Sequence, residues 1–368
     1  MSRIEDVARI AGVSTATVSR ALRGLPKVSE DTRARVLAAA TELDYVASPT
    51  AASLASGKTR VVGVVVPYVT RWYFAQLISG ASRVLRDHGY HVLLLDVGDN
   101  GPQRTMLLDS RMLSKRVDAV LVLSLQLHAV ELDLLRRLRL PVVTVGTRTE
   151  GWPSVSIDDV EVARTATRHL VDLGHRDIAF VGGEPTPHPD FATPSDRRRG
   201  YEEVMAENGL TVAPDRVVSA DWSVRGGAAA GERLLSATPR PTAVFVASDE
   251  MAMGLLHTAG RLGVRVPDEL SVVGVDDHEQ AWVHGLTTVS QPVQHEGEEA
   301  SRLLLEALAR RGKRGQAPDA RSDSAHDADA EAVIVPTQLL VRGSTGPLVP
   351  ALPAERRAHA RSTVQAGR

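Results

Sequence analysis

Ser14, Thr15, Ala16, Thr17, Ser19 and Arg20 sit in one short polar run, STATVSR, with the side-chain types of a nucleic-acid reader. On a helix capped by Ser14, Val18 and Leu22 stand one turn apart and face a core, with Val13 just ahead of them. Thr15, Ala16, Ser19 and Arg20 then fall on the opposite face, near the N-terminal end. A helix-turn-helix offers side chains to base edges in the major groove from there. A second set suits a small polar ligand. Arg148, Ser248 and Asp276 each follow a Val-rich run, Arg197 opens a helix after another, and Trp222 lies in ADWS. A carboxylate accepts from hydroxyls, an arginine donates a fork of bonds, and an indole covers the apolar face of a sugar. Asp249 reads equally as a ligand residue or as the cap of the helix behind it, and Trp222 equally as a core or hinge residue. Asp277 reads as structural, and Arg198 and Arg199 as solvated.

Catalytic groups do not accompany these sets. Gly57-Lys58-Thr59 ends like a phosphate loop, but Ala52 stands where the leading glycine belongs, and the segment precedes a strand. Neither G-x-S-x-G nor H-E-x-x-H occurs, and the twelve histidines do not fall at ligand spacing. The expectation is a binding protein without cofactor or metal, and not an enzyme. The absence of cysteine excludes disulfides and thiolate chemistry. Glu5 and Asp6 sit where a secretory signal would be basic, and no apolar run is long enough to span a membrane. A cytoplasmic location, at the nucleoid, is expected.

The elements that must position these groups can be read in outline. Ile4, Val7, Ala8 and Ala11 give a first helix that Gly12 ends. Ser29 caps a third helix whose Val36, Ala40 and Leu43 form an apolar stripe. Nine basic side chains stand against six acids in residues 1–60, although the whole chain carries a net charge of −2. That local excess suits phosphate contacts. From Val61 onward, seven short apolar runs alternate with helical stretches: 61–66, 92–95, 119–123, 142–145, 178–181, 243–246 and 272–275. Unbroken apolar strands suit a parallel sheet covered on both faces, and alternation with helices means repeated βαβ units. Seven strands are enough for two similar subdomains with a cleft between them. Residues 311–332 read as a polar surface loop. Residues 347–368 read as a disordered tail without the leucine heptad of a tetramerising coil.

The segments DVARIAGVSTATVSRAL, VSEDTRARVLAAATELDY, SLASGKTRVVGVVVP, HLVDLGHRDIAFVGG, AVFVASDEMAMG, ELSVVGVDDHE, LTTVSQP and LLVRGSTG stand in that order over residues 3–346. Together they make the chain resemble the lactose-repressor (LacI/GalR) family of bacterial transcription regulators. The resemblance implies an α/β protein with an N-terminal three-helix helix-turn-helix domain over 1–46 and a hinge helix within 47–59. A two-subdomain periplasmic-binding-protein-like effector and dimerisation domain would follow over 60–346. Crossovers are implied near Ile157–Asp158, near Ser290–Gln291, and after a helix over 296–309.

The implied partners are double-stranded operator DNA with an inverted repeat, a small effector that is, in the family's manner, a sugar or sugar derivative, and a second copy of the chain. Leu54 would be levered into the minor groove, as apolar wedges are. Arg197, Trp222, Ser248 and Asp276 fall on effector-contacting positions. Two departures stand out. Ala52 replaces a residue commonly basic. Arg71-Trp72-Tyr73-Phe74, with Tyr73 among the effector contacts, replaces a segment usually read as asparagine-proline-phenylalanine-phenylalanine. The alternatives from other classes are a solute-binding protein and a sugar-acting α/β enzyme, neither of which needs the N-terminal bundle.

Overall fold

The computed structural model describes residues 2–45, 58–98, 113–125, 127–184, 192–314 and 331–348. Leu54 and the rest of segment 46–57 lie outside the described residues, as do 315–330 and everything beyond Leu348. Helices α1 (Ile4–Ala11), α2 (Thr15–Leu22) and α3 (Glu30–Glu42) follow from local signals. Gly12 takes the left-handed conformation, φ 67°, that ends α1. The Ser14 and Ser29 hydroxyls accept from the backbone N–H of Thr17 and Thr32, capping α2 and α3. Val7, Val18 and Val36 meet with no exposed surface at the centre of the three helices. Leu22 was expected in that core. It is half-buried at the rim, and Ala21, three residues after Val18, takes the inner place.

The Val-rich runs build two sheets of six strands each. The first contains β1 (Val61–Val66), β2 (His91–Asp96), β3 (Ala119–Leu123), β4 (Val142–Val145), β5 (Ser154–Ser156) and β11 (Ala332–Ile334). Their spatial order is β11-β5-β4-β3-β1-β2, all parallel. The second contains β6 (Ile178–Gly182), β7 (Val217–Ser219), β8 (Ala243–Val246), β9 (Ser271–Asp276), β10 (Thr287–Ser290) and β12 (Gln338–Leu340), ordered β12-β10-β9-β8-β6-β7. Only β12 runs antiparallel there. Strands β3 and β8 are buried at every residue, because helices cover both faces. β2 is an edge strand and half of it meets solvent.

Helices α4 (Trp72–Asp87), α5 (Ala129–Leu138) and α10 (Val293–Arg314) belong to the first lobe. Helices α6 (Asp159–Asp172), α7 (Thr193–Glu207), α8 (Val224–Leu235) and α9 (Asp249–Arg261) belong to the second. The chain changes lobe three times: between β5 and α6, at Gln291–Pro292 between β10 and α10, and between β11 and β12. Two features differ from the expected outline. Helix α10 continues to Arg314 and β11 starts at Ala332, so structure enters both ends of the polar segment 311–332. The described chain also reaches past residue 346, where the tail was expected to begin, and the Leu348 N–H donates to the Leu173 carbonyl.

Helices α4 and α10 pack backbone to backbone beside the cleft. A methyl group added at Gly297 would lie 2.2 Å from the Leu77 carbonyl oxygen, and one at Gly80 2.0 Å from that of Gln294. Backbone meets backbone there, so neither helix can yield by a side-chain turn. Gly297→Ala should therefore cost about 1–3 kcal/mol through overpacking. Urea denaturation reads this as a lowered midpoint, and an unchanged midpoint would mean that the helices part freely.

Candidate functional site

In the N-terminal bundle, α2 presents Thr15, Ala16 and Arg20 to solvent, while Ser19 and Thr17 are half-buried. Burial of Val18 and Ala21 on one side of an eight-residue helix leaves this face free. The Ser14 hydroxyl lies 2.9 Å from the Thr17 hydroxyl as well as capping the helix. Arg23 donates to the Ser19 carbonyl at 3.1 Å, which holds its guanidinium at the end of α2. Two short side chains and one long cation thus project from the first two turns, the arrangement that fits a major groove.

The second site is a cavity of about 630 Å³ between the lobes, at the C-terminal ends of the strands. Ligand sites in open α/β sheets lie at that end, and cavities of roughly 300–1,000 Å³ suit small molecules. Tyr73, Arg197, Trp222, Ser248 and Asp276 all line it. Arg148 does not. The chain turns after β4 so that Gly146 meets the cavity, the Thr144 hydroxyl binds the Thr147 carbonyl at 2.7 Å, and Arg148 points to solvent. Counting residues after a strand end cannot show how sharply the loop turns.

Arg197 organises the second lobe's side. It is 4 % exposed, donates from Nε to Asp159 Oδ1 at 2.7 Å, and donates from Nη1 to the Ala247 carbonyl. Asp158 caps α6 by accepting from Glu161 N–H, which leaves Asp159 for the arginine. The Trp222 ring stands 6.0 Å from the guanidinium, inside the range of a cation–π contact. Ser248, not Asp249, caps α9. Asp249 is fully buried and ties His278 N–H to the Thr288 hydroxyl, so its role is structural. Asp277 pairs with Arg342 at 2.6 Å. Arg198 and Arg199 make exposed ion pairs along α7.

The first lobe contributes aromatic side chains and a tie across the cleft. The Tyr73 hydroxyl lies 3.1 Å from that of Ser124. Arg71, at the start of α4, donates to the carbonyls of Trp222 at 2.8 Å and Asp221 at 3.1 Å. The Trp72 ring packs at a tilt against His278, centroids 4.7 Å apart. The Arg71 and Trp72 contacts join the lobes at the departure from the family segment. The sequence showed the departure but not its use.

Two buried carboxyls share the cavity. Burial pushes Asp276 up to about 7, against Arg197 and the hydrogen bond from Gln291. Burial, helped by Asp159 and Asp276, pushes Glu296 up to about 8. Glu296 was not singled out in the sequence, where an acid in a helix's first turn looks like a partner for the helix dipole. A carboxyl held above its ordinary 4.5 binds its proton more tightly folded than unfolded, so its contribution falls as pH rises from about 4.5 to about 8. The ligand-free protein should lose up to about 5 kcal/mol through Glu296 across that window. Buried histidines such as His175, held below their usual value by burial, act in the opposite sense. The measurement is therefore the difference in stability between the protein and Glu296→Gln from pH 5 to pH 8. A flat difference would place Glu296 in water.

A family model described as bacterial regulatory proteins, lacI family, matches residues 3–48, and one described as a periplasmic binding protein-like domain matches residues 167–345. The catabolite control protein A of Priestia megaterium is 36% identical over 312 residues, covering 83% of this chain and 92% of the relative. A solved structure of a transcriptional regulator CelR–cellobiose complex superposes with a TM-score of 0.66 at 30% identity, over 94% of this chain and 100% of the other. The lac repressor dimer bound to operator and the anti-inducer ONPF superposes with a TM-score of 0.77 at 25% identity, over 94% and 99%.

Proposed function

The chain belongs to the lacI family of bacterial regulatory proteins, and on that footing we propose that it grips an inverted-repeat operator as a homodimer whose hold is set by a sugar or sugar derivative in the cleft. It is a DNA-binding transcription regulator. What carries the fuller reading is one chain holding both an exposed reading face on α2 and an arginine–carboxylate–indole cavity between two lobes. Thr15, Ala16 and Arg20 read base edges, while Ser14, Thr17 and Ser19 fix register on phosphates. Leu54, outside the described residues, is the minor-groove wedge. The protein binds and does not catalyse, and it acts in the cytoplasm, where the DNA is.

Support for the dimer comes from the second lobe. Trp282, Val283 and Val341 are 71%, 63% and 61% exposed, and the Arg342–Leu286 hydrogen bond brings their loops together. Exposed apolar groups gathered at one place suit association, and a twofold dimer sees a pseudo-palindrome. The effector side chains divide between the lobes: Tyr73 comes from the first, and Arg197, Trp222, Ser248 and Asp276 from the second. A bound sugar therefore favours one lobe arrangement, and the three crossovers carry that preference toward the DNA-binding end. A coupling of about 1–3 kcal/mol is enough for a regulatory switch.

The test of the reading face is Arg20→Ala. Operator affinity should fall by about 1–3 kcal/mol, with discrimination relaxed at one position of each half-site. Anisotropy titrations on a set of single-base operator variants read both effects. Equal loss on every duplex, scrambled DNA included, would make Arg20 a phosphate contact.

A further inference from the structure

Glu296 is one of the most buried acids of the described chain. It is 1% exposed, lines the cavity, and its Oε1 is buried without a hydrogen-bond partner. Its backbone is well anchored: the N–H donates to the Pro292 carbonyl, and Gly297 beside it packs against the Leu77 carbonyl. The side chain is thus held at the cavity wall with one oxygen unpaired. A buried polar atom without a partner needs an explanation, and a ligand group supplies one.

The surrounding charges select which group. Asp159 from α6 and Asp276 from β9 both act on Glu296, with Arg197 from α7 as the opposing charge. The Tyr73 phenol of α4 faces it too, and Glu296 contributes to pushing that phenol up. Three carboxyls therefore share one guanidinium, whose Nε and Nη1 are already given to Asp159 and the Ala247 carbonyl. The other arginine lining the cavity, Arg71, donates to the Asp221 and Trp222 carbonyls, while Glu184, Asp221 and Glu250 add further acids. An anionic ligand would meet uncompensated like charge. A neutral hydroxyl would leave the excess as it stands, with Glu296 keeping its proton. A cation removes the excess and gives the unpaired oxygen a donor, and the ring of Phe74 adds a face that attracts positive charge.

We infer that the effector is a sugar carrying a protonated amine, seated against the Glu296 carboxyl. This rests on the sugar reading proposed above, to which it adds the charge. Asp276 and Arg197 keep the hydroxyls, and Glu296 takes the nitrogen.

The test is calorimetric titration of the full-length protein with matched pairs: glucose and glucosamine, galactose and galactosamine, mannose and mannosamine, cellobiose and its diamino counterpart. In at least one pair the amine should bind about tenfold or more tightly than its neutral partner, the equivalent of one ion-paired hydrogen bond. Glu296→Gln should bring that pair to parity and Glu296→Asp should keep the preference, with circular dichroism confirming that both variants fold. A neutral sugar that binds as well as or better than its amine overturns the inference and leaves the sugar reading standing. A preference that survives Glu296→Gln also overturns it. If nothing in either column binds, the sugar reading falls and the inference with it.

Discussion

Arg197→Ala should cost about 3–5 kcal/mol of stability at pH 7, the loss expected when a buried ion pair keeps one member. The side chain is 4% exposed, and its removal strands Asp159 Oδ1, takes a donor from the Ala247 carbonyl, and withdraws the charge that holds Asp276 down. Arg197→Lys should recover little, because one ammonium cannot reach both acceptors as the guanidinium fork does. The loss should shrink toward pH 5, where Asp276, held up by burial and now without the arginine, takes up its proton. Denaturant titrations of both variants at pH 5 and pH 7 measure this. A penalty below about 1 kcal/mol with no pH dependence would mean that Asp159 finds another partner.

Asp276→Asn should reduce affinity for the active sugar by about 2–4 kcal/mol, on the order of 30- to 1,000-fold. Asp276 is 7% exposed at the end of β9, accepts from Gln291 Nε2, and faces the cavity beside Arg197. The asparagine keeps the shape but loses one acceptor and the charge that Arg197 favours. Sugar affinity by calorimetry and operator affinity by anisotropy should separate in this variant, the first falling while the second stays. A sugar response preserved at unchanged concentration would remove Asp276 from the effector set.

The sequence was most legible where one local rule settled the outcome. Gly12 and the caps Ser14 and Ser29 bound the helices of the bundle, and the alternation of apolar runs with helices pointed to two α/β lobes. The runs at 61–66, 119–123, 142–145 and 243–246 coincide with β1, β3, β4 and β8. The runs at 92–95, 178–181 and 272–275 fall within β2, β6 and β9, and the other five strands escaped for a physical reason. β5, β7, β11 and β12 have three residues each, too few for a periodicity, and β10 is Thr-Thr-Val-Ser. Their places are set by neighbours in the sheet, not by their own pattern.

The cavity was partly legible for a similar reason. Tyr73, Arg197, Trp222, Ser248 and Asp276 stand around it, because the resemblance supplied positions that strand ends alone leave open. Arg148 does not, since the turn after β4 depends on the Thr144–Thr147 hydrogen bond. Glu296 and Asp159 were hidden because an acid in a helix's first turn has an ordinary structural use. What makes them different is the crossover at Gln291–Pro292 and the Asp159–Arg197 pair between α6 and α7, which only the assembled fold contains.

Specific DNA recognition is the claim on which the rest depends. The most direct measurement is an anisotropy titration of the full-length protein onto the duplex upstream of its own gene, against a scrambled duplex, at two salt concentrations. Specific binding exceeds nonspecific binding by about 10³-fold or more, and the nonspecific part falls steeply with salt. The account predicts a preference for the native duplex that persists at the higher salt, with the stoichiometry of one dimer per site. Equal, salt-sensitive binding to both duplexes, with and without the sugar panel, would contradict it.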